Sequence, residues 1–290
     1  MVSPRTSGLR GGGAGDAIDV AVLSSSGKRL RCRRLDGGEI FVQTDARWGV
    51  PGLVVTLHVH ERGTTAAGAP LVVADVVSSR VDVPALRLER IPLERCGPVD
   101  PAMELGLDDG EPVPDWARPI VARGPRDAFE LEDLVPMPKW GDDDVLRAMD
   151  QLARGETSTA RKTLFGVLAH DLRALAAHAA LGAIAFDRDL PRARLHYTVG
   201  AAIGDVSLGA GFDGVLPWGL VDNRPFLRCL HGLGLTLWRL DLQSEAGAIF
   251  RRMLWLNPRD NQGVRMAVDA LERGLTWQEL VAEDAQRSTR

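Results

Sequence analysis

Cysteine is scarce in this 290-residue chain: Cys32, Cys96 and Cys229 are odd in number, widely spaced and never in a CxxC pair. That pattern builds neither a disulfide framework nor a zinc-finger spacing, and it favours a reducing, cytoplasmic setting. Long apolar runs are lacking too. The longest, Ala174–Phe186, is mostly alanine, is interrupted by His178 and falls short of the roughly 18–20 residues that span a bilayer. Residues 1–15 carry arginines but no apolar stretch before a small-residue cleavage site, so they read as a disordered lead rather than a signal peptide.

Motifs for nucleotides are equally absent. No glycine stands five residues before Gly27 in the Ser24–Arg29 turn, Gly11–Gly15 lacks a strand–loop–helix context, and Gly200–Gly204 falls at a helix end rather than after a strand. No nucleophile–base spacing supports an enzyme, which ranks last among the readings. His58 and His60 share a strand face with Glu61 beside them, but two histidines lack the further ligands zinc requires. His170 and His178 are two helical turns apart without an HExxH pattern. No metal and no cofactor is expected.

What the chain does have falls into two kinds of pattern. The hydrophobic fraction of 45% supports a proper core, and the length suggests two domains at about 100–200 residues each. After the lead come five short β-like runs, AIDVAVL, KRLRCRR, EIFVQ, LVVTLHVH and LVVADVV, with a hairpin turn at Asp36-Gly37-Gly38. They predict a small closed or half-closed β-barrel over 16–80, of SH3-like, PilZ-like or OB-like topology. Prolines from Pro84 to Pro138 make 81–140 a connector or irregular packing segment, with Trp116 and Trp140 to dock it. Helices follow over 141–275, opened by Asp142, Asp143 and Asp144 as capping oxygens. The fold class is α+β and multidomain: a small N-terminal barrel, then an all-α array of helical hairpins, then a tail over 276–290 that begins as helix and frays.

The helical pattern is clearest in Leu227–Arg265. Leu230, Leu233, Gly234 and Leu237, then Ala246, Phe250 and Met253, recur at three- and four-residue steps, and Pro258 stops the second helix. This stretch resembles a tetratricopeptide (TPR) repeat. Weaker copies run over about 144–173, with Gly155 in the turn, and about 175–205; a helix over 261–274 would close the stack. Asp189 and Asp241 stand where the repeat expects a turn glycine. The segments Asp222-Asn223-Arg224-Pro225 and Trp255–Arg265 also resemble the C-terminal repeats of the suppressor-of-tumorigenicity family and related bacterial TPR proteins.

The resemblance implies a non-catalytic adaptor that binds a protein or peptide in a groove lined by the first helix of each repeat. On that reading Arg228, His231, Leu235, Trp238 and Arg239 face the groove, joined by Gln262 and Arg265. Arg228, His231 and Arg265 would converge on a carboxylate, with Trp238 as a flat anchor. Asp222 and Asp260 read as helix caps, or as part of a polar corner under the Trp218 loop. The Gly/Pro-rich insertion over 205–224 is long for a helical array and therefore a candidate for function. The alternative is a nucleic-acid adaptor working through Arg29, Arg31, Arg33 and Arg34, against which stand the formal charge of −4 and the few nearby aromatics, Phe41 and Trp48.

Overall fold

The computed structural model describes residues 10–11, 17–106, 111–132 and 144–288. Most of the lead, Trp140 and the aspartate cap up to Asp143 lie outside these residues. The chain divides into two compact units: Met1–Glu89 with Pro136–Ala177, and Arg90–Val135 with His178–Arg290.

The first unit contains the barrel. Strand β1 (Arg10–Gly11) adds to its edge, and β2 (Ala17–Ser26), β3 (Arg29–Arg34), β4 (Glu39–Gln43), β5 (Leu53–Thr64) and β6 (Pro70–Val81) close on themselves in the order β5-β2-β3-β4-β6-β5. All five expected runs are strands. Alternation decides which face is inside: Leu30, Cys32, Ile40 and Val42 are buried, while Arg29 and Glu39 are exposed. Every pairing in the ring is antiparallel except β4 with β6, which runs Phe41 beside Leu71. Register shifts at Thr56/Leu57 and Val59/Glu61 bend β5 as it pairs with β6, the usual device for curving a strand around a small barrel.

Beyond β6, Asp82 accepts from the Ala85 amide and opens helix α1 (Val83–Leu86), whose Leu86 packs on Ala21 and Val54. Further along the chain α4 (Asp144–Ala153) and α5 (Thr157–His170) form a hairpin. Gly155 makes its turn at φ +79°, and α5 packs on β2.

In the second unit, the proline-rich stretch holds more regular structure than its composition suggests. Strand β7 (Leu93–Val99) pairs antiparallel with β8 (Arg126–Leu131), and α2 (Pro101–Leu105) and α3 (Arg118–Arg123) are short helices between them. Three of the stretch's prolines occupy tolerant places: Pro98 lies in a two-stranded ladder, and Pro101 and Pro119 lie in first helical turns.

Helices α6 (Leu175–Ala185), α7 (Leu190–Leu208), α8 (Arg224–Arg239), α9 (Gln243–Leu256), α10 (Val264–Glu272) and α11 (Trp277–Ser288) complete the chain. The two aspartates in turn-glycine positions serve differently. Asp189 caps α7 by accepting from the Arg192 amide, whereas Asp241 itself adopts the left-handed conformation at φ +59°. Helix α11 starts with a capping box, in which Thr276 and Glu279 satisfy each other's backbone amides at 3.3 and 2.8 Å. Close helix approach depends on missing side chains. A Cβ at Gly182 or Gly232 would lie 2.5 or 2.2 Å from the Tyr197 ring, and one at Gly234 would lie 2.4 Å from Phe250. Gly200 and Gly204, in α7, likewise admit Cys229 and Phe226 of α8. No helix among the described residues is long and apolar enough to cross a membrane.

Candidate partner-binding site

The insertion between α7 and α8 begins later than its composition suggests, because α7 continues to Leu208. It then folds onto β8. Phe129 N donates to Val215 O and Val215 N to Asp127 O, each at 2.9 Å, so the insertion runs beside the strand. Asn223 fixes its far end. Fully buried, it accepts from the Leu131 amide at 3.0 Å and donates to Phe129 O at 2.9 Å and Pro217 O at 3.2 Å. Asn223→Ala would leave those backbone groups unpaired inside the protein. It is expected to lower stability by about 1–3 kcal/mol in urea unfolding.

Arg126 anchors the near end. It is 5% exposed, stacks over Trp255 at 4.3 Å and donates to Trp255 O at 2.7 Å. Burial pushes its guanidinium below the ordinary value, offset in part by Asp213. Arg126 does not stand out in the sequence, and Asn223 stands out there only as part of the Asp222–Pro225 segment.

These anchors present Trp218 beside α8. Its amide donates to Asn257 Oδ1 at 3.3 Å and its carbonyl accepts from Arg224 Nε at 2.9 Å. The Arg224 and Arg228 guanidiniums lie 5.4 and 5.5 Å from the Trp218 ring. Among the described residues neither has a carboxylate within ion-pair distance. Arg224, Arg228, His231 and Leu235 follow at steps of four, three and four, which sets them in one stripe along α8. Arg228 is exposed, and His231 and Leu235 are half-buried. Arg224 joins the expected set through its spacing to Arg228, a signal present in the sequence but overshadowed by the cap-like Asp222-Asn223-Arg224-Pro225.

The remaining expected residues fall on both sides of that stripe. Gln262 Nε2 is 3.3 Å from His231 Nδ1, and burial lowers the His231 pKa, which favours a neutral ring. Arg265 is already committed: its side chain contacts the buried Asp260 carboxylate at 3.3 Å. Burial raises the Asp260 pKa, opposed by amides of α10's first turn, including Val264 N at 2.7 Å. Asp260 is therefore a cap, for a helix that starts at Val264. Asp222 lies inside a 3-10 turn, Val221–Asn223, that leads straight into α8, so Asn223 is the residue that precedes the helix.

Trp238 requires the clearest correction. It is fully buried, donates from Nε1 to Leu275 O at 3.0 Å and meets Trp277 edge-on at 5.7 Å. Helix α11 covers this end of α8, so Trp238 is core and offers no face to a ligand. Arg239 lies beside it, bonded to Phe186 O and Asp187 Oδ1, both at 2.9 Å. The open part of the stripe is thus its N-terminal three turns.

Elsewhere, His60 pairs with Asp75 at 2.8 Å and its ring lies 5.1 Å from that of His58. Among the described residues no three or more His, Cys, Asp or Glu gather as a metal site. His170 is exposed and His178 buried. Of the arginines on β3, Arg31 pairs with Glu39, Arg34 with Asp36, and Arg33 donates to Leu86 O, while Arg29 is exposed. No protein-family model matches the chain, and no curated protein matches it.

Proposed function

We propose that the protein is a non-catalytic adaptor whose α8 face binds an acidic segment of a protein partner. The observation that carries this is the Trp218 ring flanked by two guanidiniums that have no carboxylate partner among the described residues. Guanidiniums hold carboxylates by paired, charge-assisted hydrogen bonds, and an indole beside them supplies apolar contact with few rotamers to freeze. Leu235 and His231 extend the stripe with a less polar surface suited to the flanking residues of a peptide.

The helical hairpins support the TPR-like reading. Helices α8 and α9 pack as an antiparallel pair would in the third repeat, α10 packs on α9, and α4 packs on α5 in the first unit. Small residues stand where helices come closest, Gly234 against Phe250 among them. The barrel's single parallel pair supports an OB-like topology among the three expected, a fold that hosts many unrelated ligands.

Selection of displayed peptides on the full-length protein tests the proposal. Peptides with an Asp or Glu beside apolar residues should be enriched, and the Arg224→Ala/Arg228→Ala double variant should bind them about ten- to hundredfold more weakly. Selected peptides that bind both proteins equally would remove the site from α8. A folded variant is confirmed by an unchanged far-ultraviolet circular dichroism spectrum.

A further inference from the structure

In the first unit, a cleft of about 310 Å³ opens where the end of α5 lies against the outer face of β3 and the turn after α1. Three separate stretches bring basic side chains to it: Arg31 and Arg33 from β3, Arg87 from the turn, and His170 at the end of α5 with Arg173 just beyond it. We propose that this cleft is a binding site for a small phosphate-bearing ligand.

The charge of the cleft follows from how each arginine is paired. Arg31 is neutralised by Glu39 through two bonds of 3.0 and 2.5 Å, and Arg173 by Asp171 at 2.8 Å. Arg33 and Arg87 are different. Among the described residues their side-chain hydrogen bonds go to backbone carbonyls, Leu86 O for Arg33 and Leu35 O at 3.3 Å for Arg87. A carbonyl orients a guanidinium without cancelling its charge. Among the described residues neither Arg33 nor Arg87 has a carboxylate in ion-pair distance. Glu89, the remaining acid in the lining, is 3.9 Å from Arg173 with its side chain 93% exposed, too solvated to neutralise the interior.

The backbone points the same way. Arg87 sits at φ +53°, ψ +40°, in the left-handed region that ends α1. Glycine takes that conformation without steric cost, whereas a long side chain does not. An arginine held there under strain is explained if its side chain is used, and it reaches the cleft.

The chemistry of the remaining lining selects the ligand. Guanidiniums match phosphate oxygens in geometry and charge. Leucines at Leu23, Leu88, Leu168 and Leu172 give the cleft apolar walls, and no Phe, Tyr or Trp lines it. Without a stacking surface, a single strand of nucleic acid would lose the contacts that hold its bases. A compact phosphomonoester with a short aliphatic body fits both the charge and the walls. This site is independent of the α8 face in the second unit.

Calorimetric titration of the full-length protein tests it, using inorganic phosphate, a panel of aliphatic phosphomonoesters and a labelled single-stranded oligonucleotide. At least one small phosphate compound should bind at millimolar concentration or below. Arg33→Gln and Arg87→Gly should each weaken it about ten- to hundredfold, while Arg228→Ala leaves it unchanged. Arg87→Gly is the decisive variant, because glycine suits the left-handed position and should leave the melting temperature unchanged or higher. No binding by any small phosphate compound, or equal binding by Arg87→Gly, would overturn the proposal. So would oligonucleotide binding that depends on Arg33 and Arg87 while the small compounds fail.

Discussion

Trp238→Ala should lower stability by about 3–5 kcal/mol, the range for removing a large aromatic from a packed core. Three contacts are lost together. The ring is fully buried, it meets Phe250 and Trp277 edge-on at centroid distances of 6.4 and 5.7 Å, and its Nε1 satisfies the Leu275 carbonyl at the turn into α11. Trp238→Phe keeps an aromatic body but leaves that carbonyl unpaired, so a smaller loss of about 1–3 kcal/mol is expected. Urea unfolding followed by far-ultraviolet circular dichroism measures both. A Trp238→Ala protein as stable as wild type would mean that α11 does not cover α8, and would return Trp238 to the binding face.

The second large effect concerns a ring enclosed by glycines. Tyr197 of α7 lies between Gly182 of α6 and Gly232 of α8, and a Cβ at Gly232 would be 2.2 Å from two of its ring carbons. Tyr197 is 6% exposed, so the ring cannot swing into solvent without opening the helix contact. Gly232→Val should therefore destabilise by about 3 kcal/mol or more, at the upper end of overpacking, and Gly232→Ala by less. The same clash should shrink when Tyr197 is replaced by leucine. A double-mutant cycle with Tyr197→Leu should then show coupling of roughly 1–3 kcal/mol between the two positions. Additive effects would place the strain elsewhere.

These two sites mark where the sequence was legible and where it was not. Alternation in Leu30-Arg31-Cys32 and the turn at Asp36-Gly37-Gly38 locate strands because each residue's face is set by its immediate neighbours. Three- and four-residue spacing locates α8 and α9 for the same reason. What stays hidden depends on residues far apart in the chain. The tail's single box, Thr276 to Glu279, announces a helix start but not that the helix will return to bury Trp238. Arg126 reads as an ordinary polar residue and Asn223 only as part of the Asp222–Pro225 segment, yet each ties positions about ninety or more apart: Leu131 with Asn223, and Arg126 with Trp255. The division of the chain into units is hidden likewise, since Ile91 N donates to Ser207 Oγ across 116 positions. At the candidate site, Arg228, His231 and Gln262 were legible from helix periodicity and the repeat resemblance. Arg224 and its neighbour Trp218 were harder to see, because the loop carrying the tryptophan is placed by β8 and not by any repeat.

Hydrogen–deuterium exchange of the full-length protein, with and without a saturating peptide from the selection, tests the adaptor reading most directly. The expected result is slowed exchange in Val215–Leu235 and around Asn261–Arg265, lost in the Arg224→Ala/Arg228→Ala variant, with the barrel strands unchanged. Protection confined to β2–β6, or none at any segment while the peptide is bound, would contradict a partner site on α8.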